Sequence, residues 1–207
     1  MKIKEPIIKK ELVESDINNL NNEKQEDKLF SSVVVNKDIS DIEFNSCIFK
    51  KVDFSNVELE NIDFIDCIFE SCNLSNMKST YKLFLRSKFI DCKLIGIFLD
   101  NINLTDVLFD RCNLSYSTFS DGRIKRAYFI NSKLSDTRLY TLKHNNLYFI
   151  DSNLSNIEII NTKLKGIDLS SSSIEGIKAS TSDIYGVILN NYQLFDMAKL
   201  FGIIIKE

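Results

Sequence analysis

Apolar residues recur at every fifth position of the chain from Phe44 to Leu194. Of the 31 positions in this series, 28 are Phe, Leu or Ile, and the exceptions are Ser79, His144 and Ala179. The residue two places before each of these positions is usually apolar or small as well. Neither an α-helix nor a flat strand can keep a five-residue series in phase. The pattern therefore predicts a repeat architecture in which two of every five residues point inward.

A second, longer period sorts every fourth inward centre into the same column. One column is Phe49, Phe69, Phe89, Phe109, Phe129 and Phe149, and another is Leu74, Leu94, Leu114, Leu134 and Leu154. Because like residues return after four pentapeptides, four of them complete one coil of square cross-section, and equivalent residues of successive coils stack on each other. Stacked coils lie about 4.8 Å apart, so the series predicts an all-β solenoid about 37 Å long.

Three pentapeptides show the repeat in its most complete form. They are CNLSN at 72–76, CNLSY at 112–116 and SNLSN at 152–156. A small residue, Asn or Asp, a central Leu or Phe and two polar residues resemble the motif of the pentapeptide repeat proteins. This resemblance implies a right-handed quadrilateral β-helix.

The ends of the chain depart from the five-residue series. We expect residues 1–30 to form a polar N-terminal extension, partly helical or disordered, and residues 31–41 to form a cap strand. The β-helix is expected to span residues 42–190, and a C-terminal helix and tail to span 191–207. Leu194, Met197, Ala198 and Phe201 follow helical spacing, with Asn190 or Asn191 as a candidate N-cap and Gly202 as the stop.

The C-terminal segment carries more apolar side chains than one helix can bury on the end of a coil. The stretch from Gly186 to Gly202, with Gln193 and Ala198, resembles the terminal segment of the quinolone-resistance (Qnr) type of pentapeptide repeat protein. In that type such a helix forms a two-fold dimer, which implies a homodimer here. The candidate dimer interface is Leu194, Phe195, Met197, Leu200, Phe201, Ile203 and Ile205.

Cysteine and histidine give no sign of catalysis, metal binding or cofactor binding. All five cysteines take the inward position two places before a repeat centre, where a small side chain fits, so packing explains them better than zinc or disulfides. His144, the single histidine, falls at an inward centre. We therefore expect no enzyme, metal or cofactor, and we expect local bulges or kinks at Ser79, Lys82 and His144.

Charge is distributed unevenly along the chain. Residues 41–70 contain eight acidic and two basic residues, whereas residues 111–143 contain seven basic and two acidic ones. At equivalent positions of successive coils, Asp66, Arg86, Asp106 and Arg126 alternate in sign, which predicts a ladder of salt bridges. The acidic residues taken as the candidate partner-binding face are Glu58, Glu60, Asp63, Glu70, Asp91, Asp110 and Asp151, and a merely solvated face is the alternative.

The Qnr-type resemblance implies a function as well as a fold. Proteins of that type resemble B-form DNA and bind the type II topoisomerases DNA gyrase and topoisomerase IV, which they inhibit, protect from quinolones, or both. A non-enzymatic topoisomerase-binding protein is therefore our leading interpretation. The alternative is a scaffold or protein-interaction module with another partner. Direct nucleic-acid binding through the basic 111–143 segment is not expected, because this segment lacks an aromatic stacking platform.

The sequence contains no apolar run long enough to cross a bilayer. It also starts without the charged and apolar regions of a signal peptide. We expect a cytoplasmic protein without membrane contact.

Overall fold

The computed structural model describes residues 3–20, 23–204 and 206, apart from the side chains of residues 80–82. The described residues form fifteen strands, one short 3-10 helix at Ile17–Asn19 and two α-helices. The strands are β1 (Val13–Glu14), β2 (Lys24–Glu26), β3 (Lys28–Ser31), β4 (Ile39–Asn45), β5 (Ile48–Lys50), β6 (Glu58–Ile65), β7 (Ile68–Glu70), β8 (Lys78–Ile90), β9 (Phe98–Asp110), β10 (Thr118–Ser120), β11 (Arg123–Ile130), β12 (Arg138–Tyr140), β13 (Lys143–Ile150), β14 (Glu158–Ile160) and β15 (Lys178–Ala179). The α-helices are α1 (Thr181–Ile184) and α2 (Leu194–Leu200).

Parallel pairing at a constant offset of four pentapeptides builds most of the solenoid. β8 pairs with β9 through Phe89 and Phe109, and β9 pairs with β11 through Phe109 and Phe129. The result is a right-handed β-helix of about eight turns, which confirms the predicted fold class. We number its faces by the residues at their inward centres: face 1 from Phe44 to Ile184, face 2 from Phe49 to Leu189, face 3 from Phe54 to Ile174 and face 4 from Leu59 to Ala179.

The corners between faces use a left-handed backbone conformation at the last residue of most pentapeptides. Asn56, Asn76 and Asp136 have φ values of 60°, 57° and 57°, and Gly176 has a φ of 69°. Asn, Asp and Gly adopt this conformation more readily than other residues. The polar final position of the repeat is therefore a requirement of the corner as well as of solvent exposure.

Stacked phenylalanines fill the centre of face 2. Successive rings from Phe49 to Phe149 lie 4.5 to 5.2 Å apart between centroids, with interplanar angles of 14° or less. The predicted columns are therefore present, at a spacing close to one coil.

The solenoid begins well before residue 42. β2 pairs with β4 through Gln25 and Phe44, and β3 pairs with β5 through Phe30 and Phe49, both at an offset one residue shorter than in the later coils. Phe30 is fully buried, so the expected extension over residues 1–30 and cap strand over 31–41 are wrong in this region. The five-residue series does not reveal this earlier coil, because its first centre is a glutamine and its offset to the next coil is shorter.

Residues 13–20 cover the N-terminal end of the solenoid. β1 pairs with β3, and Ile17 of the 3-10 helix is fully buried as part of the hydrophobic core. The Asp16 side chain accepts from the backbone N–H of Asn18 and so caps this turn. The end of the sheet is covered here rather than by residues 31–41.

The strand pairing contains no bulge at Ser79 or His144, contrary to expectation. Ser79 aligns with Leu59 and with Leu99, and His144 aligns with Ile124. Ser79 is buried, whereas His144 is half-buried and its Nε2 contacts the carbonyl oxygen of Lys163. The ladder bonds on either side hold the backbone in place whatever the side chain. The backbone of Lys82 aligns with Ile102 in the same way, so no bulge occurs there either, although its side chain lies outside the described part of the chain.

A C-terminal helix is present, as predicted, and a glutamine connects it to the last coil. Gln193 is buried, and its Nε2 donates to the carbonyl oxygens of Leu169 (2.8 Å) and Ser172 (2.7 Å). These carbonyls would otherwise lack the ladder partner that a further coil provides. Asn190 caps the turn before α2 rather than α2 itself, because its Oδ1 accepts from the backbone N–H groups of Tyr192 and Gln193.

Candidate functional site

The acidic residues proposed as one face lie on separate parts of the rod. Glu58 and Glu60 lie on face 4, Asp63 on face 1, Glu70 and Asp110 on face 2, and Asp91 and Asp151 at the corner of faces 2 and 3. Faces 4 and 2 are on opposite sides of the square. The structure therefore brings together Glu58, Glu60 and Asp63, but not these three with the other four.

Basic residues neutralise most of the acidic ladder on face 2 and its corner with face 3, which consists of Glu70, Asp91, Asp110 and Asp151. Lys50 Nζ lies 3.3 Å from Glu70 Oε2, and Arg111 Nε lies 2.7 Å from Asp91 Oδ1. Arg111 also contacts Asp110 through Nη1. The Arg111 side chain donates to Asp91 and holds the pKa of that carboxyl below its usual value. Lys50 and Arg111 each lie one coil from an acid, so the same spacing rule that revealed the corner ladder could have found them.

A denser group of carboxylates lies at the N-terminal end of faces 4 and 1. We call it the N-terminal acidic patch, and it consists of Asp38, Asp41, Glu43, Glu58, Glu60 and Asp63. Glu43 aligns with Asp63 across β4 and β6. Asp38, Glu58 and Glu60 line a common depression, and Asp38 Oδ1 accepts from the backbone N–H of Glu58 at 2.8 Å.

Only part of the patch is neutralised within the described residues. Lys78 Nζ lies 3.4 Å from Glu58 and Lys24 Nζ lies 3.3 Å from Glu43, and both lysines are more than half exposed. Such exposed pairs contribute about 1 kcal/mol or less. The patch therefore keeps a net negative charge, because two lysines face six carboxylates.

An N-terminal arm, residues Ile3–Lys9, runs along the corner of faces 1 and 2. Its backbone N–H groups bond to side chains of successive coils: Lys4 to Asp106 Oδ1 (3.2 Å), Ile7 to Asp66 Oδ1 (2.9 Å) and Lys9 to Ser46 Oγ (3.2 Å). Ion pairs of Lys9 with Asp27 and of Glu5 with Lys88 add to these contacts. Residues 3–9 of the arm contain no helix and are held against the coils, so neither the helical nor the disordered form expected for the N-terminal extension occurs here.

The corner beneath the arm contains the predicted salt bridges. Arg86 donates to both carboxylate oxygens of Asp66 at 2.6 Å, and Arg126 donates through Nε and Nη2 to Asp106. The carboxylates are almost fully buried, with side-chain exposures of 7% and 1%. Buried charges need such complete pairing, so this corner has a structural role.

The Asp106 carboxyl makes part of this stability dependent on pH. Hydrogen bonding from Arg126, and to a lesser extent from the backbone of Lys4, lowers the pKa of Asp106. Its contribution is therefore complete above the unfolded-state pKa of about 3.9 and is lost as pH falls through the lower folded-state pKa. We expect urea unfolding between about pH 4 and pH 2 to show a larger loss of stability for the wild type than for Asp106→Asn. Asp121→Asn, which changes an exposed carboxylate, should follow the wild type, and parallel curves for all three proteins would contradict the assignment.

The five cysteines are free and buried, as the packing interpretation predicts. Each Sγ bonds to main-chain carbonyls of its own and the preceding coil, as Cys92 does with Ile90 and Phe69. Burial raises the pKa of the Cys67 thiol well above its usual value, and the neighbouring Cys47 thiol raises it further. Within the described residues no group of three or more His, Cys, Asp or Glu side chains is arranged to hold a metal ion.

The C-terminal end presents an apolar surface to solvent. Leu194, Phe195, Phe201 and Ile203 are between 50% and 58% exposed, whereas Met197 is buried on the last coil. Leu194 and Phe201 do not cap the last coil, because Met197 and Gln193 fill that place. Leu200 is half-buried, and Ile205 lies outside the described residues.

Comparisons with known proteins agree with this architecture. A family model described as "Pentapeptide repeat region" matches residues 37–119 and 62–139, together about half of the chain. The chain is a pentapeptide repeat protein. A search of curated proteins finds no match. None of the described helices is long and apolar enough to cross a membrane.

Several solved structures are similar to this chain at low identity. Two trypsin-treated forms of QnrB1, a plasmid-mediated fluoroquinolone resistance protein, are 21% and 19% identical, with TM-scores of 0.39 and 0.36. These alignments cover 93% and 88% of this chain and 96% and 100% of those chains. HetL, a pentapeptide repeat protein involved in heterocyst differentiation regulation in the cyanobacterium Nostoc sp., is 11% identical with a TM-score of 0.25, covering 81% of this chain and 90% of its own.

Proposed function

We propose that this protein acts without catalysis as a mimic of DNA that binds type II topoisomerases, DNA gyrase or topoisomerase IV, in the cytoplasm. The observation that carries the proposal is the N-terminal acidic patch on a rigid rod. The pentapeptide motifs and the terminal segment resembling the Qnr type support the same assignment. Binding inhibits the enzyme, protects it from quinolones, or does both.

The physical basis is electrostatic. A topoisomerase surface that neutralises DNA phosphates attracts a rod that carries carboxylates on successive coils. In this chain the contact is centred on Glu58, Glu60 and Asp63 rather than on the acidic ladder of face 2, since Lys50 and Arg111 already pair with Glu70, Asp91 and Asp110. Asp151 lies near the other end of the rod and is a weaker candidate.

Dimerisation would extend this surface. A two-fold contact between the exposed apolar side chains of the C-terminal segments is closed and self-complementary. It would join two rods of about 37 Å into one of about 75 Å. A rod of that length can lie across the DNA-binding surface of a two-fold topoisomerase, which a single copy cannot.

Supercoiling assays test the proposal. We expect the wild type at micromolar or lower concentration to change the activity of gyrase or topoisomerase IV, with or without ciprofloxacin, and the effect to weaken as salt rises. Glu58→Lys with Glu60→Lys should remove the effect. The matched control is Asp136→Lys with Glu175→Lys, which reverses the same number of charges on face 3 and at its corner with face 4, in later coils, and should act like the wild type.

Two results would decide against this function. No effect of the wild type on either enzyme would favour a scaffold or interaction module with another partner. Equal losses in the two double variants would show that total charge matters and that the N-terminal acidic patch does not.

A further inference from the structure

Face 1 ends in a cluster of basic side chains toward its C-terminal coils. We call it the basic surface, and it consists of Arg123, Lys125, Lys143, Lys163 and Lys165, all exposed. Arg123 and Lys143 are aligned directly across β11 and β13, and Lys163 follows one coil later. The cluster occupies three coils, about 10 Å along the rod.

These positive charges are poorly compensated. Lys163 Nζ lies 3.0 Å from Asp183, but the other four residues have no ion-pair partner among the residues that the structure describes. Like charges aligned on neighbouring strands destabilise a sheet. In the acidic ladder of face 2, Arg111 and Lys50 reduce the repulsion between carboxylates. No acidic side chains do the same for Arg123, Lys125, Lys143 and Lys165 among the described residues. A bound anion would relieve the repulsion.

A depression at the edge of the basic surface supplies further polar groups. It is lined by His144, Asn145, Asn146, Tyr148, Lys165 and Gly166, among others. The Asn side-chain amides and the Lys165 ammonium are hydrogen-bond donors suited to phosphate oxygens. The depression lies where pairing along face 1 ends, since β13 pairs with β11 alone among the described strands.

An aromatic side chain borders the same depression. The rings of Tyr128 and Tyr148 stack with centroids 4.5 Å apart, and Tyr148, the outer member, is 37% exposed. The stack fixes the orientation of the Tyr148 ring beside the cations. The sequence-based expectation against nucleic acid relied on the lack of an aromatic platform, and this pair supplies one.

We infer that the basic surface binds single-stranded nucleic acid, with phosphates along Arg123, Lys143 and Lys165 and an unpaired base against Tyr148. Cations that follow the backbone beside an aromatic ring that accepts a base are the two elements of single-strand binding sites. A duplex offers no unstacked base to Tyr148, and an acidic polypeptide would make no use of the ring. This binding is independent of the proposed topoisomerase contact, which involves the opposite end of the rod.

Fluorescence anisotropy with a labelled single-stranded DNA of about 20 nucleotides tests the inference. We expect micromolar binding at low salt. Contacts to about four phosphates would weaken it roughly 20-fold between about 50 and 150 mM salt. The variant R123Q/K143Q/K165Q should lose at least about tenfold in affinity. Its control, K51Q/K93Q/K133Q, removes the same charge from exposed positions on face 3 and its corner with face 2 and should bind nearly as the wild type does.

The aromatic contact has its own variant. Tyr148→Ala should weaken single-strand binding by about fivefold or more, whereas Tyr116→Ala, at an exposed corner of face 3, should not. Circular dichroism would establish that each variant is folded.

Four outcomes would overturn the inference, the last of them a result with duplex DNA. The first is no binding of the wild type at low salt, and the second is an equal loss in the two triple variants. The third is competition by polyglutamate as strong as that by single-stranded DNA, which would assign the basic surface to an acidic protein partner. Duplex binding as tight as single-strand binding, with no effect of Tyr148→Ala, would remove the role of the unpaired base. Since no topoisomerase is present in the assay, these results are separate from those of the supercoiling test.

Discussion

Replacing Phe109 with alanine is expected to lower the free energy of unfolding by about 3–5 kcal/mol. Phe109 is 1% exposed and lies between Phe89 and Phe129, with ring centroids 4.8 and 4.7 Å away. Hydrogen bonds from β9 to both β8 and β11 hold the backbone on either side. The neighbours therefore cannot move into the space that the ring leaves, and the cavity remains.

Urea unfolding followed by circular dichroism measures this loss. Thr118→Ala is the control, because Thr118 is an outward residue of β10 and its removal opens no cavity. It should change the free energy of unfolding by no more than about 0.5 kcal/mol. Equal destabilisation by the two substitutions would contradict the inward assignment of Phe109.

The second large effect is expected on assembly. Phe195→Asp combined with Phe201→Asp should convert a dimer into a monomer, because both side chains are about half exposed in the single chain. Burial of a phenylalanine side chain contributes about 1.5–3 kcal/mol to the free energy of association. In a two-fold contact each substituted phenylalanine occurs twice, once in each copy. Met197 and Gln193 stay in place, so the last coil should remain folded.

Sedimentation equilibrium at micromolar concentration distinguishes the two states. Lys199→Asp is the control, since it places an acidic residue at an exposed position of the same helix without removing apolar area. A monomeric wild type would contradict the dimer, and a double variant that stays dimeric would locate the contact elsewhere on the rod.

The five-residue series contains enough information for the fold because it repeats. An exception at one position, such as Ser79 or His144, does not hide the pattern, because equivalent positions in the adjacent coils keep it. The same spacing correctly predicted the pairs of Asp66 with Arg86 and of Asp106 with Arg126. Applied to Asp91 and Glu70, it would also have shown that these two acids of the ladder are paired with Arg111 and Lys50.

Other features could not be obtained from spacing. The coil that contains Gln25 has a polar residue at its centre, and its offset to the next coil is one residue shorter than in the later coils. It therefore lacks both the apolar centre and the constant spacing by which the other coils are recognised. The N-terminal arm is held mainly by backbone N–H groups, which every residue except proline has, so its sequence does not mark its contacts. The depression beside Tyr148 depends on where strand pairing ends, and the repeat does not encode this end.

The N-terminal arm changes how the coils depend on one another. In a solenoid each repeat contacts only its neighbours along the rod. The stability of the rod is therefore a sum of the stabilities of single repeats and of the contacts between adjacent repeats, and the ends can open one coil at a time. The arm bonds to Ser46, Asp66 and Asp106, the last of them 102 residues from Lys4. The first coils are therefore joined into one cooperative unit that opens together. During synthesis the arm leaves the ribosome first, yet it can dock completely only after the coil containing Asp106 has formed.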